Sequence, residues 1–334
     1  MGKGYRYLTI RKHVFSSSAW RSPIYRRPVA GPRPVLYPGD MISVRGLNKS
    51  FGGKRALHDL SFDIKPGLMT GFVGGNGAGK TTTMRILLGV LSHDSGEILV
   101  DGEPITSDYR AGIGYMPEER GLYPKMPVID QLVYLARLHG SSAKAAKTRA
   151  MNLLERLDLD HRAKDKLEEL SLGNQQRAQV AAALVHEPSA LVLDEPFSGL
   201  DPHAVDITLQ VLQETAYTGI PVLFSSHQLD VVERLCDVLV ILADGRVVAS
   251  GTRDELIEQH TEAEWELVTA TDTDWVRSVP GADITSADEG QVRFHADSVD
   301  VANEVLREAT SRGPIHSFGP ARHSLHEIFT EVTR

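Results

Sequence analysis

Residues Gly74 to Thr82 read Gly-Gly-Asn-Gly-Ala-Gly-Lys-Thr-Thr, and this stretch decides the fold. It fits the pattern G-x-x-x-x-G-K-[ST], whose fixed positions are held by Gly74, Gly79, Lys80 and Thr81. In such a glycine-rich loop, successive backbone N–H groups turn toward phosphate oxygens because no Cβ blocks the approach. A helix that begins near Lys80 adds its positive N-terminal end to the same pocket. The stretch therefore predicts a phosphate-binding loop.

The residues on either side of this loop supply the structural context that the pattern needs. Met69 to Val73 is a short apolar run that predicts a strand, and Thr82 to Leu91 has the spacing of an amphipathic helix. The side chain of Lys80 can reach the β- and γ-phosphates of a nucleotide, and the Thr81 hydroxyl can ligate Mg²⁺. The sequence thus predicts a nucleoside triphosphate site between a strand and a helix.

The composition is that of a globular protein with room for one large domain or two ordinary ones. The chain has 334 residues, of which 41 % are apolar and 24 % are charged. Its longest apolar run, Val238 to Ala243, has strand length, whereas a helix needs roughly 18–20 apolar residues to span a bilayer. We therefore expect that the chain does not cross a membrane itself. The single cysteine, Cys236, excludes an internal disulfide and fits a reducing compartment.

The net charge of −8 is divided unevenly along the chain. Residues 1–40 hold eight Lys or Arg and a single acid, Asp40, so the remainder carries 28 bases against 43 acids. General nucleic-acid binding rests on neutralising phosphates, and an acidic domain is poorly suited to it. We therefore expect no nucleic-acid partner.

Residues 1–40 form a basic extension that is rich in Arg, Ser and Pro and has no sustained periodicity. An organellar transit peptide has this composition. A basic arm that touches anionic lipid is a second interpretation. The third is a start codon assigned too early, because Met41 begins a clean alternating strand. We favour the third interpretation and expect disorder over residues 1–40 in each case.

A second predicted strand ends on two acids. Ala190 to Asp194 is apolar up to Asp194-Glu195, and adjacent acids at the end of a buried strand are costly without a cation or a reaction to serve. In a chain with a phosphate-binding loop, the cation is Mg²⁺ held by an Asp. Pro221 to Ser225 predicts a further buried strand, which is followed by His227. Before the acids, the segment Leu170 to Gln176 leads into a long predicted helix, Gln175 to His186, which Pro188 stops.

The remaining pattern divides into three parts. Short alternating strands, Ile42 to Arg45 and Leu60 to Ile64, are predicted before the loop. Pro127 to His139 and Ala143 to Leu157 have helical spacing and predict a helical block. After about His260, alternating and helical segments predict a small α+β appendage of about 70 residues.

These motifs in this order resemble the ATP-binding cassette (ABC) ATPases, and the resemblance covers roughly residues 41–251. The stretch Pro117 to Met126, the segment Leu-Ser-x-Gly-Asn-Gln-Gln and the appendage are similar to exporter-type ATP-binding subunits related to the sodium-efflux ATPase component. The resemblance implies an α/β P-loop NTPase core of the ABC type with an antiparallel β subdomain, a helical subdomain and a small C-terminal α+β domain. The implied domains are residues 41–260, an ABC ATPase domain, and residues 261–334, an accessory domain.

The resemblance also implies a role for each site residue. Gly74 to Thr82 is the Walker A loop, and Leu191 to Asp194 is the Walker B strand. Glu195 is the general base, His227 the switch histidine and Lys80 the third catalytic residue. Mg²⁺ is held by Thr81, Glu118 and Asp194. The implied ATP contacts are Phe51, Gly74, Asn76, Gly77, Ala78, Gly79, Lys80, Thr81, Thr82, Ser171, Gly173 and Asp201.

Five positions have a second interpretation or depart from the family pattern. Phe51 stacks on adenine in the implied role, although its position alone fits the core equally well. Gly75 stands where Pro is common in the family, and Leu172 and Asn174 depart from the usual Leu-Ser-Gly-Gly-Gln signature. Glu118 stands where most members have Gln. A carboxylate can still ligate Mg²⁺, but it brings a negative charge near the γ-phosphate.

The function implied is an ATP-hydrolysing subunit that dimerises on ATP and powers a separate membrane permease, with export the expected direction. ATP and Mg²⁺ are the implied cofactors. The partners would be the permease and a second ATP-binding subunit, identical or related. Such a subunit lies in the cytoplasm on the inner face of a bacterial cell membrane. A soluble ABC ATPase that acts on nucleic acid or the ribosome is the alternative.

Overall fold

The computed structural model describes residues 39–119, 121–227, 229–260, 264–321 and 325–332, which belong to one compact unit. The extension predicted over residues 1–40 lies outside these ranges up to residue 38. None of the helices in the described ranges combines the length and the apolarity that a bilayer span requires. The helices and strands are, in chain order, β1 Ile42–Phe51, β2 Lys54–Ile64, β3 Met69–Gly74, α1 Lys80–Leu87, β4 Ser95–Val100, β5 Glu103–Pro104, α2 Ser107–Ala111, β6 Ile113–Met116, α3 Val128–Leu138, α4 Ala143–Arg156, α5 Leu172–Leu184, β7 Ala190–Leu193, α6 Pro202–Tyr217, β8 Val222–Ser226, α7 Leu229–Leu235, β9 Val238–Ala243, β10 Arg246–Gly251, α8 Arg253–His260, β11 Glu264–Thr269, β12 Ala282–Asp288, β13 Gln291–Ala296, α9 Val299–Arg312, β14 Ile315–Pro320 and α10 Leu325–Val332.

An antiparallel sheet of order β2-β1-β4-β5 covers one side of the phosphate-binding loop. Its first two strands are longer than the alternation predicts, because the pairing of β1 with β2 shifts register three times between Val44 and Ser50. Each irregularity interrupts the two-residue period, so the sequence pattern ended at Arg45 although the strand continues to Phe51. Phe62 of β2 packs on Phe72 of β3, which joins this sheet to the central one.

The central sheet has the order β10-β9-β3-β8-β7-β6. All of its strands are parallel except β10, which pairs antiparallel with β9. The carboxyl ends of β3, β7 and β8 therefore lie at one edge of the sheet, where ligands bind in open α/β folds. This edge carries the loop after Val73, the acids after Leu193 and His227 after Ser226.

The helical block consists of α3, α4 and α5, which contact one another. Its predicted helices agree with the structure to within two residues at α3 and α4. Helix α5 begins at Leu172, three residues before the predicted Gln175, because Ser171 accepts a hydrogen bond from the Asn174 N–H and caps the helix there. Each helix of the block contributes fully buried apolar residues to the core, among them Leu132, Ala150, Leu154 and Ala178.

The C-terminal residues form a four-stranded antiparallel sheet of order β12-β13-β11-β14 with α9 on it. Strand β12 is missing from the sequence prediction because most of its polar side chains are exposed and give no apolar alternation. The sheet and α9 enclose their own core, in which Leu267, Val292, Phe294 and Val305 are fully buried. Helix α10 leaves this core and contacts α7 and α8.

Candidate functional site

The phosphate-binding loop runs from the end of β3 to the start of α1. Gly75, Asn76 and Gly77 are exposed at its tip. Gly79 has φ 103° and caps α1. A Cβ at Gly79 would lie 2.6 Å from Leu57 Cδ2 of β2, so a larger residue there would push the antiparallel sheet away from the loop.

Lys80 is buried within this loop, with its side-chain ammonium turned back onto the backbone. Its Nζ donates hydrogen bonds to the carbonyl oxygens of Gly74, at 2.7 Å, and Gly75, at 3.3 Å. The positive charge therefore lies at the inner rim of the loop, and so does the N-terminal end of α1. A glycine-lined cradle with a cation and a helix N-terminus is what phosphate oxygens require.

A carboxylate faces the loop from the neighbouring strand. Asp194, which is 1 % exposed, accepts hydrogen bonds from the Thr81 hydroxyl at 2.8 Å and from the Ser225 hydroxyl at 2.5 Å. A hydroxyl and a carboxylate are oxygen donors of the kind that Mg²⁺ prefers. Thr81 and Asp194, from two different elements, therefore fit a magnesium site beside the phosphate cradle.

Glu195 adopts an unusual backbone conformation, φ 55°, which non-glycine residues rarely occupy. Its N–H donates to Ser225 Oγ at 2.9 Å, so the same serine contacts both acids. Its carboxylate is nearly buried, and Oε1 lies 2.9 Å from Nδ1 of His227, whose side chain is half exposed. The carboxylate and the imidazole thus form a pair at the edge of the sheet, where they can accept and hold a proton.

Glu118 is exposed and lies in the loop that joins β6 to α3, residues 117–127, of which Arg120 is outside the described residues. The preceding strand, β6, contacts Asp194, because the Asp194 N–H donates to the Met116 carbonyl at 2.8 Å. Burial raises the pKa of Tyr115, and the charges of Asp194 and Glu118 raise it further. Both charges thus act on the same tyrosine, and among the described residues no hydrogen bond joins Glu118 to Thr81 or Asp194.

Phe51 is 48 % exposed at the end of β1, and Lys49 Nζ lies 5.5 Å from the centre of its ring. It pairs with Lys54 at the start of β2, the strand whose Leu57 approaches Gly79. An exposed aromatic ring on the hairpin that adjoins the loop fits the predicted stacking on a base. Its exposure is inconsistent with the alternative role in the core.

Ser171 and Gly173, at the start of α5, lie beside the loop that leads to Asp201. Gly173 is next to Gly199 and Leu200, which precede Asp201, the residue that caps α6 by accepting from the Ala204 N–H. Within the described ranges, no hydrogen bond joins any of the three to residues 74–82. Ser171 is exposed at the start of α5.

Gly245, in the turn between β9 and β10, connects three parts of the site. Its N–H donates to the Ala78 carbonyl of the phosphate loop at 3.2 Å, and its carbonyl accepts from the His58 N–H of β2 at 2.8 Å. Its φ is 74°, and a Cβ at this position would lie only 2.3 Å from the Ala56 carbonyl oxygen. The position therefore admits only glycine without displacement of its neighbours.

Sequence reasoning also missed Ser225 and Gln176, which hold the backbone of Glu195. Ser225 contacts both acids, and the Gln176 side-chain amide donates to the Glu195 carbonyl at 2.8 Å. A fully buried serine in an apolar strand close to His227 was the available signal for the first. Gln176 belongs to the segment Leu170 to Gln176, but residue spacing alone does not show which way its side chain points.

Two protein families match this chain. The family described as ABC transporter matches residues 57–198. The family described as the C-terminal domain of ATP-binding protein DrrA1-3-like matches residues 251–333.

Two relatives and one solved structure show how far the similarity extends. The uncharacterized ABC transporter ATP-binding protein YhaQ of Bacillus subtilis is 39 % identical over 291 residues, which are 87 % of this chain and 98 % of that protein. Nod factor export ATP-binding protein I of Burkholderia orbicola is 40 % identical over 220 residues, which are 65 % of this chain and 72 % of that protein. A structure described as the ATP binding subunit of an ABC transporter gives a TM-score of 0.61 at 32 % identity and covers 66 % of this chain and 92 % of that one.

Proposed function

This chain belongs to the ATP-binding proteins of ABC transporters, and on that premise we propose that it powers export through a permease on a separate chain. As a member of the family it binds and hydrolyses ATP. The alternative, an ATPase that acts on nucleic acid or the ribosome, is not favoured, because the similar proteins are transporter subunits.

The assignment of catalytic roles rests on the contacts of Glu195 with Ser225 and His227. The Glu195 carboxylate accepts a proton from the attacking water, and His227, at 2.9 Å, orients that carboxylate. Lys80 and the backbone of the phosphate loop neutralise the charge that develops on the transferred phosphoryl group. The chemistry therefore depends on positioning and charge more than on covalent steps.

Thr81 and Asp194 would hold the Mg²⁺ ion, with Glu118 as the third ligand. When bound, the ion neutralises phosphate charge during transfer. The 2.8 Å contact between the Thr81 hydroxyl and the Asp194 carboxylate supports this assignment, because it places two oxygen donors side by side. Removal of the metal with EDTA should abolish ATP hydrolysis, and added Mg²⁺ should restore it.

The partners of the signature segment support a dimer. Each chain has one phosphate loop and one signature segment, and within the described residues no hydrogen bond joins Ser171 to residues 74–82. Two chains placed head to tail would each contribute Ser171 and Gly173 to the ATP that the other chain holds. Asp201 lies beside that segment, next to Leu200 and Gly199, and would take part in the same contact.

We assign the contact with the permease to the surface beside the β6–α3 loop. A cavity of about 330 Å³ at this surface supports the assignment. Its lining includes Tyr123, Tyr134 and Leu135, and both tyrosines are more than half exposed. Exposed aromatic residues around a concave surface are typical of a protein interface. In this assignment the chain lies on the inner face of the membrane through its permease.

Export is supported by the relatives, one of which is named for the export of Nod factor. Affinity purification of the full chain from detergent-solubilised membranes should recover an integral membrane protein. Repeated recovery of the chain alone would count against a permease partner.

The sharpest test of catalysis is the variant Glu195→Gln. It should bind ATP and dimerise, but phosphate release should fall by roughly 10²–10⁴-fold because the general base is lost. Glu214→Gln is the matched control, since Glu214 pairs with Arg156 at an exposed site on α6. Undiminished hydrolysis by Glu195→Gln would exclude Glu195 as the base.

The proposed domains are residues 41–260 and residues 261–334. Support comes from the separate apolar core of the C-terminal sheet. The second family match begins at residue 251 and so includes α8, whose Leu256 is buried in the core of the first domain. Helix α8 is thus the connection between the two domains.

A further inference from the structure

A row of hydrogen bonds leads from the β6–α3 loop to Glu195 through two glutamines of α5. The Gly121 N–H donates to Gln179 Oε1 at 3.1 Å. The Gln179 Nε2 donates to Gln176 Oε1 at 3.4 Å, and the Gln176 Nε2 donates to the Glu195 carbonyl at 2.8 Å. The two side chains are one helical turn apart, so they lie on the same face of α5.

The direction of these bonds is the same along the whole row. Glu195 offers a carbonyl, which can only accept, so the amide nitrogen of Gln176 must point to it. The oxygen of Gln176 is then available to accept from Gln179, whose own oxygen accepts from Gly121. A reversal of either amide would place two acceptors or two donors against each other. Each glutamine therefore fixes the orientation of the next.

The end of the row is a residue whose backbone needs support. Glu195 has φ 55°, a strained conformation that persists only when its surroundings hold it. Ser225 Oγ accepts from its N–H and Gln176 donates to its carbonyl. The position of the Glu195 carboxylate thus depends on Gln176.

The other end of the row lies at the cavity where we place the permease. Gly121 and Gln179 both line that cavity, and Gln179 is 4 % exposed. A buried glutamine that bonds to a loop on one side and to a second glutamine on the other can pass a displacement of the loop to α5.

We propose that Gln179 and Gln176 are positioning residues that couple the β6–α3 loop to the backbone of Glu195. This inference rests on the proposed function, because the loop is where the permease would act. It assigns to α5 a second role besides presenting the signature segment. The row sets the orientation of the general base within one chain, before any partner binds.

The test is the kinetics of the full-length variant Gln179→Met, which keeps the length of the side chain and removes both hydrogen bonds. We expect kcat for ATP hydrolysis to fall about fivefold to tenfold, the size of effect that one lost hydrogen bond produces, with KM for ATP unchanged. Thr269→Val is the control. Thr269 is a similarly buried polar residue, on β11 of the C-terminal sheet, and its hydroxyl donates to the Pro314 carbonyl at 3.0 Å. It should lower the melting temperature to a similar extent and leave kcat unchanged.

The double variant Gln176→Met with Gln179→Met separates coupling from simple destabilisation. If the two act through one path, the double variant has the kcat of Gln176→Met alone, since the row is already broken. Effects on kcat that multiply would overturn the proposal, and so would a kcat of Gln179→Met equal to that of the unmodified chain.

Gln179→Glu tests the direction of the row. The carboxylate still accepts from the Gly121 N–H but cannot donate to Gln176, and it attracts the Gln176 amide nitrogen away from the Glu195 carbonyl. We expect a kcat at least as low as that of Gln179→Met. A kcat equal to that of the unmodified chain would show that the orientation of Gln176 does not matter. Failure of Glu195→Gln to stop hydrolysis would instead contradict the catalytic assignment, whatever the glutamine variants do.

Discussion

At the scale of single residues, Glu118 is the clearest departure from the usual family pattern. It is exposed, and its negative charge acts on Tyr115 together with that of Asp194. Glu118→Gln keeps an oxygen that can ligate Mg²⁺ and removes the negative charge near the phosphates. We therefore expect it to retain ATPase activity, measured as phosphate release at saturating Mg²⁺.

Glu118→Ala is the informative comparison, because it removes the ligand altogether. It should raise the Mg²⁺ concentration that gives half-maximal activity by roughly 10–100-fold, the loss of affinity typical for disturbed metal ligation. Complete inactivity of Glu118→Gln would show that the negative charge itself is needed.

His186 makes stability depend on pH. Burial lowers its pKa to about 4, and the charges of His139, stacked on it at 4.0 Å, and of Arg149 contribute in the same direction. Between pH 6.5 and about 4 the unfolded chain therefore binds more protons at this residue than the folded chain, so stability falls as the pH falls.

His186→Gln should flatten the pH dependence of the melting temperature over that window. His316→Gln, on the exposed face of β14, is the control and should leave the dependence as it is. An unchanged slope in His186→Gln would show that other groups cause it.

Sequence motifs identify candidate site residues where they fix local spacing. Two short segments single out Lys80, Thr81, Asp194 and Glu195, and the structure brings Thr81 and Asp194 within a hydrogen bond. Ser225 was not predicted, because its partners lie about 30 residues earlier in the chain and serine has no diagnostic pattern.

At the scale of elements, the turn between β9 and β10 determines how the phosphate loop meets β2. Gly245→Ala would place a Cβ against the Ala56 carbonyl and strain a left-handed backbone. We expect a loss of about 1–2 kcal/mol from the backbone alone. The displaced contact with Ala78 should also weaken ATP binding, measured by titration with a fluorescent ATP analogue.

Gly102→Ala is the matched control for that variant. Gly102 also has positive φ, 86°, in a turn between strands, but a Cβ there meets nothing within 4 Å. It should lose similar stability in urea unfolding and bind ATP normally. Equal ATP affinity in both variants would show that the contact between the turn and the loop is not important.

Elements were predicted well where the apolar period is uninterrupted, as in α3 and α4. The register shifts in β1 and the polar composition of β12 concealed strands that pairing with neighbours maintains. In both cases tertiary contacts determine the strand, because a partner strand supplies hydrogen bonds that the local sequence pattern does not indicate.

At the scale of the whole molecule, the last helix belongs to the core of the first domain. Ile328 of α10 is fully buried in the same apolar cluster as Val232 and Leu256, and Glu327 pairs with Arg293 of the C-terminal sheet. In the proposed division, residues 261–334 are therefore attached to residues 41–260 at both of their ends.

Ile328→Ala should lower the free energy of unfolding by about 2–5 kcal/mol, the range for truncating a buried isoleucine. Val299→Ala is the control, since Val299 is 63 % exposed on α9. Urea unfolding followed with and without ATP measures the effect. ATP should raise the urea midpoint of the part that binds it. If that midpoint is the same in Ile328→Ala as in the unmodified chain, α10 does not stabilise the cassette.

The late position of α10 in the chain has a consequence for biosynthesis. The central sheet has all its strands once β10 has emerged from the ribosome, but the apolar surface around Leu256 stays uncovered until α10 is made. At about 5–20 residues per second this takes several seconds. A nascent cassette is therefore open to chaperones during that interval, and a stop codon just before Leu325 would leave it so permanently.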